Sequence, residues 1–138
     1  MAIAYVVATC KADTPLMAMA SGVYEGNAPI GTAFPYVLVA APSPGVDSLS
    51  GNRVRLMTRV RLQIKAVGYI DQGAYANLTI IANRIDALFG NQKNPATGIL
   101  CCYREQEIKY PDPKLVSGRQ VQHKGGLYDF ELASTLGG

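Results

Sequence analysis

The stretch Arg53-Val-Arg-Leu-Met-Thr-Arg-Val-Arg-Leu-Gln-Ile-Lys-Ala66 decides the fold. Its even positions read Val, Leu, Thr, Val, Leu, Ile, Ala, and its odd positions read Arg, Arg, Met, Arg, Arg, Gln, Lys. Successive side chains of a strand point to opposite faces, so the alternation predicts a strand with one apolar and one basic face. At about 3.3 Å per residue it would run about 45 Å, longer than most strands. Part of it is therefore expected to reach past the sheet as an arm, or to bend at a bulge.

Downstream the period changes. Leu78, Ile81, Ala82, Ile85, Leu88 and Phe89 fall on one stripe of a helix, with Asn77, Asn83, Arg84 and Asp86 outside it. Asp71 is the expected N-cap and Gly90 the expected stop. The stripe should pack on the apolar face of the preceding strand, and Ile81→Asp should unfold the domain by burying an unpaired carboxylate. Beyond the helix, Asn91 to Gly98 reads as a polar loop and Ile99 to Tyr110 as a strand stopped by Pro111-Asp-Pro113. A polar loop to Gly126 and a last alternating strand, Leu127 to Leu132, complete the pattern.

Upstream, Tyr36-Val-Leu-Val-Ala40 is β-branched and reads as a strand. The Pro- and Gly-rich segment Ala41 to Asn52 reads as a long loop. Val23 and Tyr24 are extended, and residues 3 to 20 form one or two short helical pieces interrupted at Pro15, with Gly22 as a stop. The expected fold class is α+β: a mainly antiparallel sheet of about four strands with flanking helices, one long amphipathic helix lying on the sheet. Residues 1–132 form a single α+β domain and 133–138 a flexible C-terminal tail.

Composition agrees with one core. The chain has 138 residues, 49% hydrophobic and 17% charged, which excludes global disorder. Five of its 13 basic residues, Arg53, Arg55, Arg59, Arg61 and Lys65, sit on the basic strand face, with no acid between Asp47 and Asp71. The net +3 thus divides into a strongly positive strand and a remainder of about −2, eight basic residues against ten acids. Cys10, Cys101 and Cys102 are odd in number and read as reduced core residues in a reducing compartment. The apolar start from Met1 to Cys10 is preceded by no basic residue and cut short by Lys11 and Asp13, so neither a signal peptide nor a membrane span is expected.

The sequence offers little chemistry. His123, the one histidine, lies in Gln122-His-Lys-Gly-Gly126 and reads as a surface-loop residue without a nucleophile nearby. Metal-ligand spacing and a phosphate-cradling glycine loop are both missing. No catalytic residue, metal ligand or cofactor is expected. The basic strand face has three readings. Its arginines can pair with Glu105, Glu107, Asp129 and Glu131 on neighbouring strands, meet acidic groups of another subunit, or face nucleic-acid phosphates. Aromatic residues do not interleave with these arginines, which argues against base stacking.

The order of elements carries a resemblance. A helical start leads to Gly22-Val-Tyr24, Ala28-Pro29 and Phe34-Pro-Tyr-Val-Leu38; the basic strand runs into a helix ending Ala-Leu-Phe-Gly90, and Gly126-Leu-Tyr-Asp-Phe130 closes the pattern. Over about residues 14 to 132 this resembles the tail-completion, or tail-terminator, proteins of long-tailed bacteriophages. The resemblance implies a non-enzymatic virion protein assembled in the bacterial host cytoplasm. It implies a homo-oligomer, a hexameric ring, that caps the head-proximal end of the tail tube, stops its polymerisation and forms the head–tail joining surface. The implied partners are the tail tube protein and a head connector or stopper protein; DNA passes through the lumen without specific binding, and no membrane is involved. Arg53, Arg55, Arg59, Arg61 and Lys65 would then lie at an intersubunit or lumen surface. Pro44, Asp47 and Asn52, in the loop from Pro42 to Asn52, would contact the next ring. The alternatives are a head–tail connector or neck protein and, from a different class, a small nucleic-acid-binding module using the basic face.

Overall fold

The alternating stretch forms the spine of a curled sheet. The computed structural model describes residues 2–41, 46–49, 55–71, 73–96, 98–116 and 118–133, with the backbone alone for 46–49, 55 and 56. Of the expected interface residues, Pro44, Asn52 and Arg53 lie outside the described residues, and Asp47 and Arg55 are described by their backbone only. Most of the expected tail, 134–138, also lies outside them.

The elements are α1 (Ala2–Ala12), α2 (Thr14–Met17), β1 (Val23–Glu25), β2 (Tyr36–Ala40), β3 (Val46–Leu49), β4 (Arg55–Tyr69), α3 (Ala74–Phe89), β5 (Asn91–Ala96), β6 (Ile99–Pro111) and β7 (Val121–Ala133). Six strands follow the order β1-β2-β4-β7-β6-β5, and β3 pairs with β4 off that path. The sheet is mixed, because β1 runs parallel to β2, and it curls into a half-barrel.

This overturns the expected fold class of about four mainly antiparallel strands with one long helix. There are seven strands among the described residues and three short helices. The strands that sequence reasoning missed carry no apolar alternation. Asn91-Gln-Lys-Asn-Pro-Ala96 reads as a loop yet pairs with β6 as an exposed edge, where only one side of a strand needs partners. Val46–Leu49 lies in the segment read as a Pro/Gly loop, but its backbone pairs with β4 from Arg55 to Arg59. The 15-residue β4 is therefore not a free arm: β7 accompanies it from Met57 to Tyr69, and β3 and β2 share its other side.

β7 also starts earlier than expected, running through the glycines read as a loop. A Cβ on Gly125 would run into the Ile64 carbonyl oxygen and Lys65 Cα, and one on Gly126 would meet the Tyr128 ring at 3.0 Å. These glycines permit close approach of strands rather than a turn.

The three helices cover one face. Leu62 and Ile64 of β4 and Tyr128 and Phe130 of β7 pack beneath Leu78, Ile81, Ile85 and Phe89 of α3, with Val6 and Cys10 of α1 closing the end. Pro15 sits in the first turn of α2, which Asp13 caps by accepting from the Leu16 N–H at 3.1 Å. The same carboxylate takes both arms of Arg84 at 2.8 and 2.7 Å, tying α2 to α3. The N-cap of α3 is Gly73 at φ 80°, not Asp71. Asp71 contributes its carbonyl to the Ala74 N–H and spends its carboxylate on Arg119.

Candidate functional site

The face of the sheet away from the helices carries the basic residues singled out by the alternation. Arg61 Nε lies 2.7 Å from Glu105 and 3.2 Å from Asp129, and Arg59 reaches Glu131 at 3.6 Å. The β4–β7 register enforces two of these pairs, since Arg59 stands opposite Glu131 and Arg61 opposite Asp129. Asp129 is only 3% exposed, so Arg61 neutralises a carboxylate withdrawn from water. The hydrogen bond to Asp129, with the nearby charge of Glu105, holds the Arg61 guanidinium above its ordinary range. Three of the four carboxylates expected to pair with the arginines are therefore placed to do so. Glu107 is not, because a bulge between Arg104 and Gln106 shifts the register and sets it opposite Gly126.

Lys65 is not on a surface of this subunit. It is 8% exposed, donates to the Tyr110 hydroxyl at 2.5 Å and lies 5.1 Å from the centre of that ring. Tyr110 in turn stacks on His123, with centroids 4.6 Å apart and planes 9° from parallel. His123 is therefore not the expected surface-loop residue: it is a strand residue, 8% exposed, opposite Val67 and Tyr110. Its Nε2 lies 2.9 Å from Asp112 Oδ2, and its buried Nδ1 has no hydrogen-bond partner among the described residues.

The protonation states follow from these neighbours. The hydrogen bond from His123, and then the Lys114 N–H, hold the Asp112 carboxyl below its ordinary value. Burial pushes the His123 imidazole below its ordinary value and the Lys65 charge adds to this, while Asp112 opposes both. The Asp112 contact assigns the proton of the neutral ring to Nε2. An aspartate–histidine pair of this kind orients a catalytic base when the second ring nitrogen faces a reactant. Here that nitrogen is buried, so the pair pins the strand end.

Two of the three thiols are also withdrawn from water. Burial pushes the Cys10 thiol up to about 12 and Cys102 up to about 11, leaving both protonated at neutral pH. Cys101 donates to Glu131 at 3.2 Å. No group of three or more His, Cys, Asp or Glu side chains among the described residues could hold a metal ion.

Sequence reasoning missed a second cluster on this face. Tyr24, Phe34, Tyr36 and Tyr69 gather around Leu38, Val67 and Val121, and the Arg119 guanidinium lies 3.7 Å from the centre of the Tyr69 ring. The signal was present in Phe34-Pro-Tyr36, whose aromatics stack at 5.3 Å. What could not be read was that β2 and the end of β4 would bring Tyr69 onto the same patch.

The helix layer is grooved between α2 and α3, where Pro15, Leu16, Met19, Ile80, Ile81 and Arg84 line a hollow of about 270 Å³. No helix among the described residues is long and apolar enough to cross a membrane. The chain matches no protein-family model and no curated protein.

Proposed function

We propose that this chain is a non-enzymatic structural virion protein of a long-tailed bacteriophage. It forms a homo-hexameric ring that caps the head-proximal end of the tail tube, ends tube polymerisation and offers the joining surface to the head connector. The order of sequence motifs supports this reading, and one structural observation carries it: the sheet ends in two unlike edges. At one end β1 presents three residues, and at the other β5 presents an exposed, irregular edge. A ring needs a heterologous contact between two different patches of each subunit, and an open sheet with dissimilar edges offers such a pair.

The charge arrangement fits the passage of DNA without specific binding. Arg59 and Arg61 are engaged by Glu131, Asp129 and Glu105 within the subunit, and Lys65 is buried under Tyr110. Phosphate contacts would have to displace those carboxylates, which weighs against a nucleic-acid-binding module on this face. Arg59 and Arg61, 49% and 42% exposed, remain the basic members of the intersubunit or lumen surface in this reading.

Native mass spectrometry with negative-stain class averages tests the reading. Rings of six subunits that arrest tube growth in a mixture with tail tube protein are the expected result. A stable monomer at micromolar concentration overturns it, and salt-sensitive DNA binding lost in Arg59→Glu/Arg61→Glu would favour the module instead.

A further inference from the structure

On the helix-covered side, β6 and β7 bring two lysines together without a counter-ion. Lys109 and Lys124 are direct cross-strand partners. Like charges so placed repel. Both nevertheless lean over one aromatic ring, with the Lys109 and Lys124 ammonium groups 5.3 and 4.8 Å from the centre of Tyr75. Lys124 donates to the Tyr75 hydroxyl at 3.1 Å and to Thr79 Oγ1 at 3.2 Å. No described carboxylate lies within 4.0 Å of either ammonium, and Glu107 acts on Lys109 only from beyond that range. Further along the same side, by contrast, Arg104 has Asp86 at 3.4 Å.

Donors are left over at this ring. The Tyr75 oxygen already accepts from Lys124, and no described residue accepts its proton. Thr79 spends its proton on the Tyr75 carbonyl at 3.2 Å, so it holds Lys124 and leaves the ligand to the other groups. Tyr75 is the second residue of α3, whose N-cap Gly73 supplies no side-chain acceptor, so the positive end of the helix adds to the same field. The neighbouring ammonium groups of Lys109 and then Lys124 hold the Tyr75 phenol below its ordinary value, which reports the concentration of positive charge.

We propose that Lys109, Lys124 and the Tyr75 hydroxyl form a binding site for a single phosphate group, supplied by inorganic phosphate or a phosphomonoester. Two ammonium groups and one hydroxyl gathered at a single ring match the several acceptor oxygens and double charge of such a group. Arg104, which shares this side of β6, is already occupied by Asp86, which limits the site to one phosphate rather than a polyanion track. The site is independent of ring formation.

Calorimetric titration of the whole chain with inorganic phosphate at constant ionic strength, together with thermal melts, tests this. Phosphate is expected to bind and to raise the melting temperature beyond chloride of equal ionic strength. Lys109→Gln and Lys124→Gln should each weaken phosphate binding about tenfold. Tyr75→Phe, which keeps the ring, should weaken it a few-fold. Without phosphate, Lys109→Gln should melt at or above the wild-type temperature, because the repulsion is gone; this also shows that the variant folds. No gain over matched chloride, or a phosphate isotherm unchanged in Lys109→Gln/Lys124→Gln, overturns the proposal. So does binding of a short DNA duplex that needs both lysines in a protein that ignores phosphate.

Discussion

The two faces of the β4–β7 ribbon are held in different ways, although they are built from alternate residues of the same strands. On one, Leu62, Ile64, Tyr128 and Phe130 are buried under α1 and α3, and burial does the work. On the other, Arg59, Arg61, Asp129 and Glu131 meet across the strands in register, and Lys65, Tyr110, His123 and Asp112 form a connected polar chain. The first face sets whether the chain folds. On the second, the exposed Arg59–Glu131 pair adds a small, separable increment, while Asp129, Lys65 and His123 are buried and depend on their partners.

That contrast can be broken most sharply at Phe130. Phe130→Ala should cost about 3–5 kcal/mol through the cavity it leaves, read as a lower urea midpoint at unchanged slope. Gly125→Ala acts where the strands approach, and should cost about 1–3 kcal/mol in the same assay because backbone, not a flexible side chain, blocks the new methyl.

A third measurement isolates the polar chain through pH. His123 is held below its ordinary value of 6.5, so the unfolded chain takes up the proton first as pH falls. The stability due to neutral His123 is complete above that value and is lost on acidification, until the folded ring is itself protonated. The slope is at most about 1.4 kcal/mol per pH unit, since one proton is involved. Melts between about pH 7.5 and 5.5 should therefore fall in the wild type and flatten in His123→Gln. Asp112, depressed as a carboxylate, loses its contribution only at lower pH. The smallest effect is expected at Arg59→Ala, below about 1 kcal/mol for a half-exposed pair. Arg61→Ala should lower the melting temperature more than Arg59→Ala, because it strands the buried Asp129; equal shifts would show that burial of the partner is irrelevant.

What was legible in the sequence follows the same division. The β4 alternation and the Leu78-to-Phe89 stripe announce themselves, because a face that must be buried enforces a period. Cross-strand partners for Arg59 and Arg61 could be named by type, since an uninterrupted basic face calls for nearby carboxylates. The number of strands was not legible. β5, Asn91-Gln-Lys-Asn-Pro-Ala96, carries no large apolar residue, and β3 falls in a segment whose prolines and glycines read as loop; both are strands because of what they pair with. His123 was misread because Gly125 and Gly126 signal a turn in isolation, while in the sheet they make room for Lys65, Tyr128 and the neighbouring backbone. The phosphate site was hidden for the same reason: Lys109 and Lys124 are separated in sequence and meet only through the β6–β7 register.

The irregularity between Arg104 and Gln106 acts as a change of parity in β6. Before it, the even residues Cys102 and Arg104 share a side with Phe130 and Tyr128; after it, the odd residues Glu107 and Lys109 share that side with Gly126 and Lys124. One extra residue thus sends Lys109 toward Tyr75 and Tyr110 toward His123. Straightening the strand with every residue kept would exchange the two assignments, setting Lys109 opposite the buried imidazole and Tyr110 beneath the first turns of α3. A single inserted residue near Glu105 therefore keeps two incompatible sets of chemistry on opposite sides of one strand.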